Sequence, residues 1–243
     1  MRDREIFSGL VSAPPVYIRL DGRAFHQVAT RLGLTRPFDT RFSEAMALVC
    51  EQLMRVSGLS PVFCFTFSDE ISIYLSRLPF GGRVEKLDSV AASFASSALT
   101  IALGGMGPLS FDARIVQVTP KLALEYLVGR QQETWRNHMN SYAQDALVAD
   151  GFTMREAAEK LKGISSPGIH ELLFARGVNL AKTPAWQRRG ILVYHRKERV
   201  GGENPLSGEH VEAVRSRIFV DREPPVFYTQ EGKDLICSLI GSF

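Results

Sequence analysis

Two runs that alternate like β-strands, Pro61 to Phe67 and Ile71 to Ser76, are separated by only Ser68-Asp69-Glu70. So short a link forces an antiparallel hairpin, because parallel strands need a crossover of a dozen residues or more. Helical periodicity flanks the hairpin on both sides. From about Asp39 to Val56, Phe42, Ala45, Met46, Val49 and Leu53 recur at three- and four-residue spacing behind Asp39 or Thr40 as N-cap. A second helix, rich in Ala and Ser, runs from about Val84 to Leu103 and stops at Gly104-Gly105. Strand-like Val16 to Leu20 precedes these elements, and Phe111 to Val118 follows them. The order β-α-β-β-α-β predicts an α+β fold on the split β-α-β, or ferredoxin-like, plan, with helices on one face of an antiparallel sheet.

Alternation puts Val16, Ile18 and Leu20 with Phe63, Phe65, Phe67, Ile71, Ile73 and Leu75 on the helix-covered face. Tyr17, Arg19 and Asp21 then share an open polar face with Cys64, Thr66, Ser72, Tyr74, Asp112 and Arg114. Beyond Thr119-Pro120 the pattern turns helical over Leu122 to about Ala149, Thr153 to Leu161 and about Gly168 to Ala175, with a loop from Lys162 to Gly168. The segment Lys182 to Val200 surrounds Gly190-Ile191-Leu192-Val193-Tyr194 with Lys182, Arg188, Arg189, Arg196, Lys197 and Arg199. It reads as a basic hairpin arm, followed by a turn at Gly201-Gly202-Glu203-Asn204-Pro205 and a short closing helix from Leu235 to Ile240. Residues 1–120 are expected to form the catalytic core, and 121–243 a helical and strand region packed on it in one continuous domain.

The first strand runs into Asp21-Gly22-Arg23, so acidic residues stand at the ends of two neighbouring strands. That is what a magnesium-dependent phosphoryl-transfer site needs, since hard divalent cations bind one or two carboxylates plus substrate phosphates. Asp-Gly and Ser-Asp are also ordinary turn chemistry, and each acid alone reads equally well as a turn cap. Gly22 adds close backbone approach, which lets a carbonyl join the coordination of two Mg2+ ions. Arg36, Ser68, Arg83 and Lys86 are candidates for holding triphosphate near the acidic edge. No Walker A loop, GxGxxG or zinc-spaced Cys/His pattern is present.

At 243 residues and 45% apolar content the chain can bury a substantial core, and its net charge of +3 suits an anionic partner. Three dispersed cysteines argue against a disulfide framework. A charged N-terminus without an apolar h-region, and apolar runs too short for a span, predict a cytoplasmic protein with no membrane partner.

The segments Arg19-Leu20-Asp21-Gly22-Arg23-Ala24-Phe25-His26, Pro37-Phe38-Asp39, Ser68-Asp69-Glu70, Phe111-Asp112-Ala113-Arg114, Lys162-Gly163 and Glu171-Leu172-Leu173-Phe174 occur in an order that resembles the tRNA(His) guanylyltransferases and their relatives that repair tRNA 5′ ends. The likeness spans roughly residues 12 to 195. It implies a polymerase-like palm that adds nucleotides in the 3′-to-5′ direction, with ATP or GTP as activating and incoming nucleotides. Asp21, the Gly22 carbonyl and Asp69 would be the metal ligands, with Glu70 supporting them in catalysis. Arg23, Ala24, Phe25, His26, Arg36, Asp39, Ser68, Arg83 and Lys86 would hold nucleotide. Arg136, Asn137 and Asn179 would contact tRNA on the helical side, alongside Arg188, Arg189, Arg196 and Lys197 of the arm. The family also implies a homodimer or homotetramer.

The chain departs from that pattern in two places. Trp135-Arg136-Asn137-His138-Met139-Asn140-Ser141 replaces a His-Ile-Asn-Asn-Leu-Tyr-Asn signature, and Ile169-His170-Glu171 replaces Lys-Asn-Glu. Templated repair of truncated tRNA is therefore expected over G addition restricted to tRNA(His). Two other readings share part of the pattern: another palm-type nucleotidyl enzyme, and a non-catalytic RNA-binding module, which would carry aromatic rings on its open sheet face.

Overall fold

The apolar and β-branched runs Val16 to Leu20, Phe63 to Phe67 and Ile71 to Leu75 build a central sheet, and its register depends on one residue of the hairpin. The computed structural model describes residues 4–105, 107–203 and 210–241. In it β1 (Val16–Gly22) lies beside a hairpin of β2 (Phe63–Phe67) and β3 (Glu70–Leu75), linked by Ser68-Asp69 alone, with Ser68 in the left-handed region at φ 48°. Glu70 is thus a strand residue, and Phe67 pairs with Glu70, Phe65 with Ser72 and Phe63 with Tyr74. A one-residue slip of register flips a whole strand. Phe63, Phe65 and Phe67 accordingly share the face of Tyr17, Arg19 and Asp21, while Cys64 and Thr66 turn to the face of Ile18 and Ile73. This corrects the parity expected for β2.

Helix α1 (Phe25–Arg31), which periodicity did not signal, follows β1 after Ala24, itself left-handed at φ 56°. Next come α2 (Thr40–Val56), α3 (Val84–Ala102) and β4 (Phe111–Gln117). Asp39 is the N-cap of α2, accepting from the backbone N–H groups of Arg41 and Phe42. The first four strands take the order β4-β1-β3-β2, all antiparallel, as the split β-α-β plan requires. Val16, Ile18, Leu20, Ile71, Ile73 and Leu75 bury against Met46, Val49, Leu53, Leu87 and Ala91 of α2 and α3.

The opposite face is covered as well. Thr119 caps α4 (Pro120–Ala149), whose proline occupies the first turn, and a C-terminal helix, α8 (Gln230–Ile240), lies on the same side. Ala123, Leu127, Phe227 and Ile236 close over Tyr17, Phe63, Phe65 and Tyr74, and the Tyr17 hydroxyl donates to the Ala123 carbonyl at 3.0 Å. The sheet is therefore sandwiched between helices instead of bearing them on one face. Gln131, buried on α4, donates to the Arg189 and Pro225 carbonyls and accepts from Phe227 N–H at 2.7 Å, which fixes the C-terminal segment.

Helix α4 is 30 residues long and outruns the sheet. Its distal half packs through Met139 and Ala143 on Ile169 and Leu173 of α6 (Ser166–Phe174), after α5 (Met154–Leu161) with its Thr153–Glu156 capping box. A short α7 (Ala185–Arg189) then leads into β5 (Ile191–Glu203), paired with β6 (His210–Asp221). Only Ile191 to Tyr194 of β5 pair with β2; the rest of the β5–β6 ribbon runs beyond the four-stranded sheet. Gly201, Gly202 and Glu203 belong to β5 and not to the expected turn, while Asn204 and Pro205 lie outside the described residues. Arg188 and Arg189 stand on α7 and not on the ribbon.

Candidate active site

Asp21 at the end of β1 pairs in register with Glu70 of β3 on one side and Asp112 of β4 on the other. Three carboxylates thus form a row across one end of the sheet, and like charges side by side repel unless cations intervene. Arg19 donates to Asp21 Oδ2 at 3.2 Å, and Arg114 lies 3.5 Å from the same oxygen and 3.3 Å from Asp112. Glu70 is held by Arg130 of α4 through two hydrogen bonds of 2.7 Å. Burial still raises the Glu70 pKa, with Arg130 opposing it.

Asp69 differs. Among the described residues it makes no ion pair, and its side chain accepts from the Ser68 hydroxyl at 3.1 Å. Burial raises its pKa, and the Asp21 charge adds to the rise. The two loops are sewn together by the Gly22 N–H donating to the Asp69 carbonyl at 3.0 Å. A Cβ on Gly22 would sit 2.9 Å from the Asp69 Cβ and 2.4 Å from the Phe25 ring, so this crossing requires glycine. An incompletely neutralised carboxylate pair beside a close backbone fits a hard divalent cation. Among the described residues no group of three or more His, Cys, Asp or Glu side chains is placed to hold a metal ion.

Beside Asp69 opens a cavity of about 570 Å³, within the range of small-molecule sites. Gly22, Ala24, Phe25, Arg36, Asp39, Ser68, Asp69 and Asn137 all line it, so much of the expected site does converge. Phe38, Phe42, Met46, Thr134 and Trp186 are among the further lining residues and were not foreseen as part of the site. The Asp39 carboxylate is occupied in holding its own loop: it accepts from Thr35 and Arg41 N–H at 2.8 Å and pairs with the Arg41 guanidinium, which holds its pKa well below the usual carboxylate range. Arg36 is paired with Asp145 at 3.3 Å on the surface.

Other expected contacts are placed elsewhere. Arg83 and Lys86 begin α3 where β3 has ended, beside the start of β1, whereas Asp21 and Asp69 lie at the opposite end of the sheet; they do not stand near the acidic edge. The Arg23 N–H donates to the Ser110 carbonyl and its side chain is exposed outside the cavity. The His26 side chain lies outside the described residues. Asn179 caps a 3-10 turn at Leu180–Lys182, Arg136 pairs with Glu133, and Arg188 and Arg189 donate to the Thr183 and Pro224 carbonyls. Arg196 lies over the Phe219 ring at 3.7 Å and pairs with Glu198, and Lys197 is exposed beside it. Arg130, the partner of Glu70, was missed; a lone arginine on a helix gives no sequence signal for a pair 60 residues away.

Asp69 in the wall of a nucleotide-sized cavity, with Asp21 next to the lining residue Gly22 on an antiparallel sheet buried on both faces, makes a site suited to nucleotidyl transfer. Residues 1–119, just under half of the chain, match the family described as Thg1, tRNAHis guanylyltransferase. It is 29% identical over 230 residues to a probable tRNA(His) guanylyltransferase of Dictyostelium discoideum, covering 84% of this chain and 87% of the relative. To the tRNA(His) guanylyltransferase of Saccharomyces cerevisiae it is 28% identical over 198 residues, 75% of this chain and 83% of the other. Among solved structures, a bacterial tRNA(His) guanylyltransferase (Thg1)-like protein in complex with ATP superposes with a TM-score of 0.74 at 22% identity, over 95% of this chain and 93% of that one. The S. cerevisiae enzyme gives a TM-score of 0.66 at 26% identity, over 75% and 86%.

Proposed function

We propose that this protein is a template-dependent 3′-to-5′ nucleotidyltransferase acting on tRNA 5′ ends, built on a polymerase-type palm. The observation that carries the reading is Asp69 in the cavity wall, tied by the Gly22-to-Asp69 hydrogen bond to the strand end that bears Asp21. Relatives named as tRNA(His) guanylyltransferases, and Thg1-like structures holding GTP and ATP, support the reaction class.

In this reading a 5′-monophosphate end is activated with ATP or GTP. The 3′-hydroxyl oxygen of the incoming nucleotide then bonds to the activated 5′-phosphorus as the leaving group departs. Asp21, Asp69 and the Gly22 carbonyl would hold Mg2+, which when bound lowers the pKa of the attacking hydroxyl and steadies charge on the leaving phosphates. The chain's own part is positioning. Phe25, Phe38, Phe42 and Trp186 offer apolar surface for a base, and Arg36, Ser68 and Asn137 offer polar contacts. Arg130 keeps Glu70 out of the metal site. Arg196 and Lys197 on the ribbon contact the tRNA backbone.

Repair of truncated tRNA is the favoured role, because the segment Trp135 to Ser141 and Ile169-His170-Glu171 differ from the family signatures. The RNA-binding-module reading loses support on other grounds than expected. Phe63, Phe65 and Phe67 do take the face opposite α2 and α3, but Phe63 and Phe65 are sealed there beneath α4 and α8. Incubating 5′-truncated tRNA with labelled nucleoside triphosphates and Mg2+ should give extension that follows the template base and is lost in Asp21→Ala and Asp69→Ala. Equal extension by those variants, or none by the wild type, would sink the proposal.

A further inference from the structure

We propose that Trp135, His170 and Phe174 form a stacking platform for an unpaired base of the RNA substrate, separate from the cavity that takes the nucleotide. Trp135 projects from α4 and lies against His170 of α6 with ring centroids 5.8 Å apart. Behind Trp135 stacks His138, at 5.3 Å and 25°, and behind His138 stacks Phe38, at 5.9 Å and 25°. Four rings therefore run from the cavity wall, where Phe38 sits, to solvent, where His170 is exposed.

The inner rings cannot swing freely. His138 is fully buried, its Nε2 bonded to the Thr183 hydroxyl at 2.9 Å, and Met139, Leu173 and Leu180 pack the helices together beside it. The outer end is different: Phe174 lies four residues after His170, on the same side of α6, and is 72% exposed without a ring partner among the described residues. Rigid rings with one free edge are the layout of single-strand platforms, where stacking is sequence-tolerant because every base has a π-face. Positive charge sits close by. Arg136, ion-paired with Glu133, is exposed next to Trp135, and the Arg188 charge is felt at His138 itself. The two departures from the family signatures, at 135 and at 170, thus meet as one contact.

This inference rests on the reading of the chain as a tRNA-directed enzyme, and the test separates the two. Trp135 is one of two tryptophans, so in a W186F protein its emission reports on the platform alone. Titration with an unstructured oligomer of adenosines, without nucleoside triphosphate or Mg2+, should quench that emission. His170→Gln should weaken binding, read by anisotropy of the labelled oligomer, roughly 5- to 150-fold, and Phe174→Ala in the same direction. His170→Phe, which keeps a ring, should hold near wild-type affinity. Unchanged emission on binding, no binding at low salt, or equal affinity of His170→Gln and His170→Phe would overturn the platform. Extension of truncated tRNA is measured beside it with the wild-type protein, since Trp186 lines the nucleotide cavity: extension without a Trp135 response leaves the reaction standing and removes the platform, and the converse removes the reaction alone.

Discussion

Glu70 and Arg130 meet in a two-pronged ion pair, Nε to Oε1 and Nη2 to Oε2, both at 2.7 Å, that ties the β2–β3 hairpin to the long helix α4. The guanidinium also lies 5.5 Å from the centre of the Phe67 ring. Both partners are mostly buried, with side-chain exposures of 20% and 10%. Removing one member of such a pair strands a charge, which costs more than the pair itself contributes. Arg130→Met should therefore destabilise the protein by about 3 kcal/mol, and Arg130→Met with Glu70→Gln by clearly less. Urea denaturation of the two single variants and the double variant reads this out; additive losses would show that the two residues act independently.

Gly22 predicts a loss with no change of charge. The alanine Cβ would meet the Phe25 ring and the Asp69 Cβ inside van der Waals contact, so Phe25 or the Ser68-Asp69 turn must move. Gly22→Ala should cost about 1 to 3 kcal/mol and abolish most nucleotide addition, whereas Gly129→Ala, within helix α4 and with open space around it, should leave addition intact. Thermal melts beside the extension assay distinguish the two glycines.

His138 sets a pH dependence of stability. Thr183 Oγ1 donates to the Leu180 carbonyl at 2.7 Å, so it accepts from His138 Nε2–H, and Nδ1 is buried with no protein partner among the described residues. Burial, with Arg188 and His170 nearby, lowers the His138 pKa to about 4. Between pH 6.5 and about 4 the unfolded chain carries a proton there that the folded chain refuses, so stability falls as the pH falls through that window. The loss is on the order of 2 to 3 kcal/mol. His138→Gln should flatten that part of the profile in denaturation curves taken from pH 7 to pH 4.

The ribbon and α7 divide the basic residues by task. Arg196 and Lys197 are exposed, while the Arg188 and Arg189 side chains hold backbone carbonyls. Neutralising Arg196 and Lys197 should lower the slope of log affinity for tRNA against log salt by about 2. Neutralising Arg188 and Arg189 should instead lower stability. Filter binding from low to high salt, with melts on each variant, assigns the two classes; an unchanged slope for the ribbon variant would remove it from the tRNA interface.

Much of the fold was legible because helices α2 and α3 bury one face each and leave a period in the sequence, and β1 still alternates Ile18 and Leu20 with Arg19 and Asp21 although Tyr17 is buried too. The hairpin was less legible. Phe63, Cys64 and Phe65 are all fully buried, so both faces of β2 are greasy and alternation says nothing about which way the rings point. The paired acids were visible as motifs, but Arg83 and Lys86, near in sequence to Asp69, proved to stand at the other end of the sheet.

By itself the sequence determined the element order β-α-β-β-α-β and the presence of Asp21 and Asp69 at strand ends, because short links and local periodicity act within a few residues. Only the tertiary structure decided the two-residue turn that puts Glu70 in a strand, the burial of the aromatic face beneath α4 and α8, and the capture of Glu70 by Arg130. Those depend on packing between segments far apart in the chain, where register and partner are chosen by shape, charge and the exclusion of water.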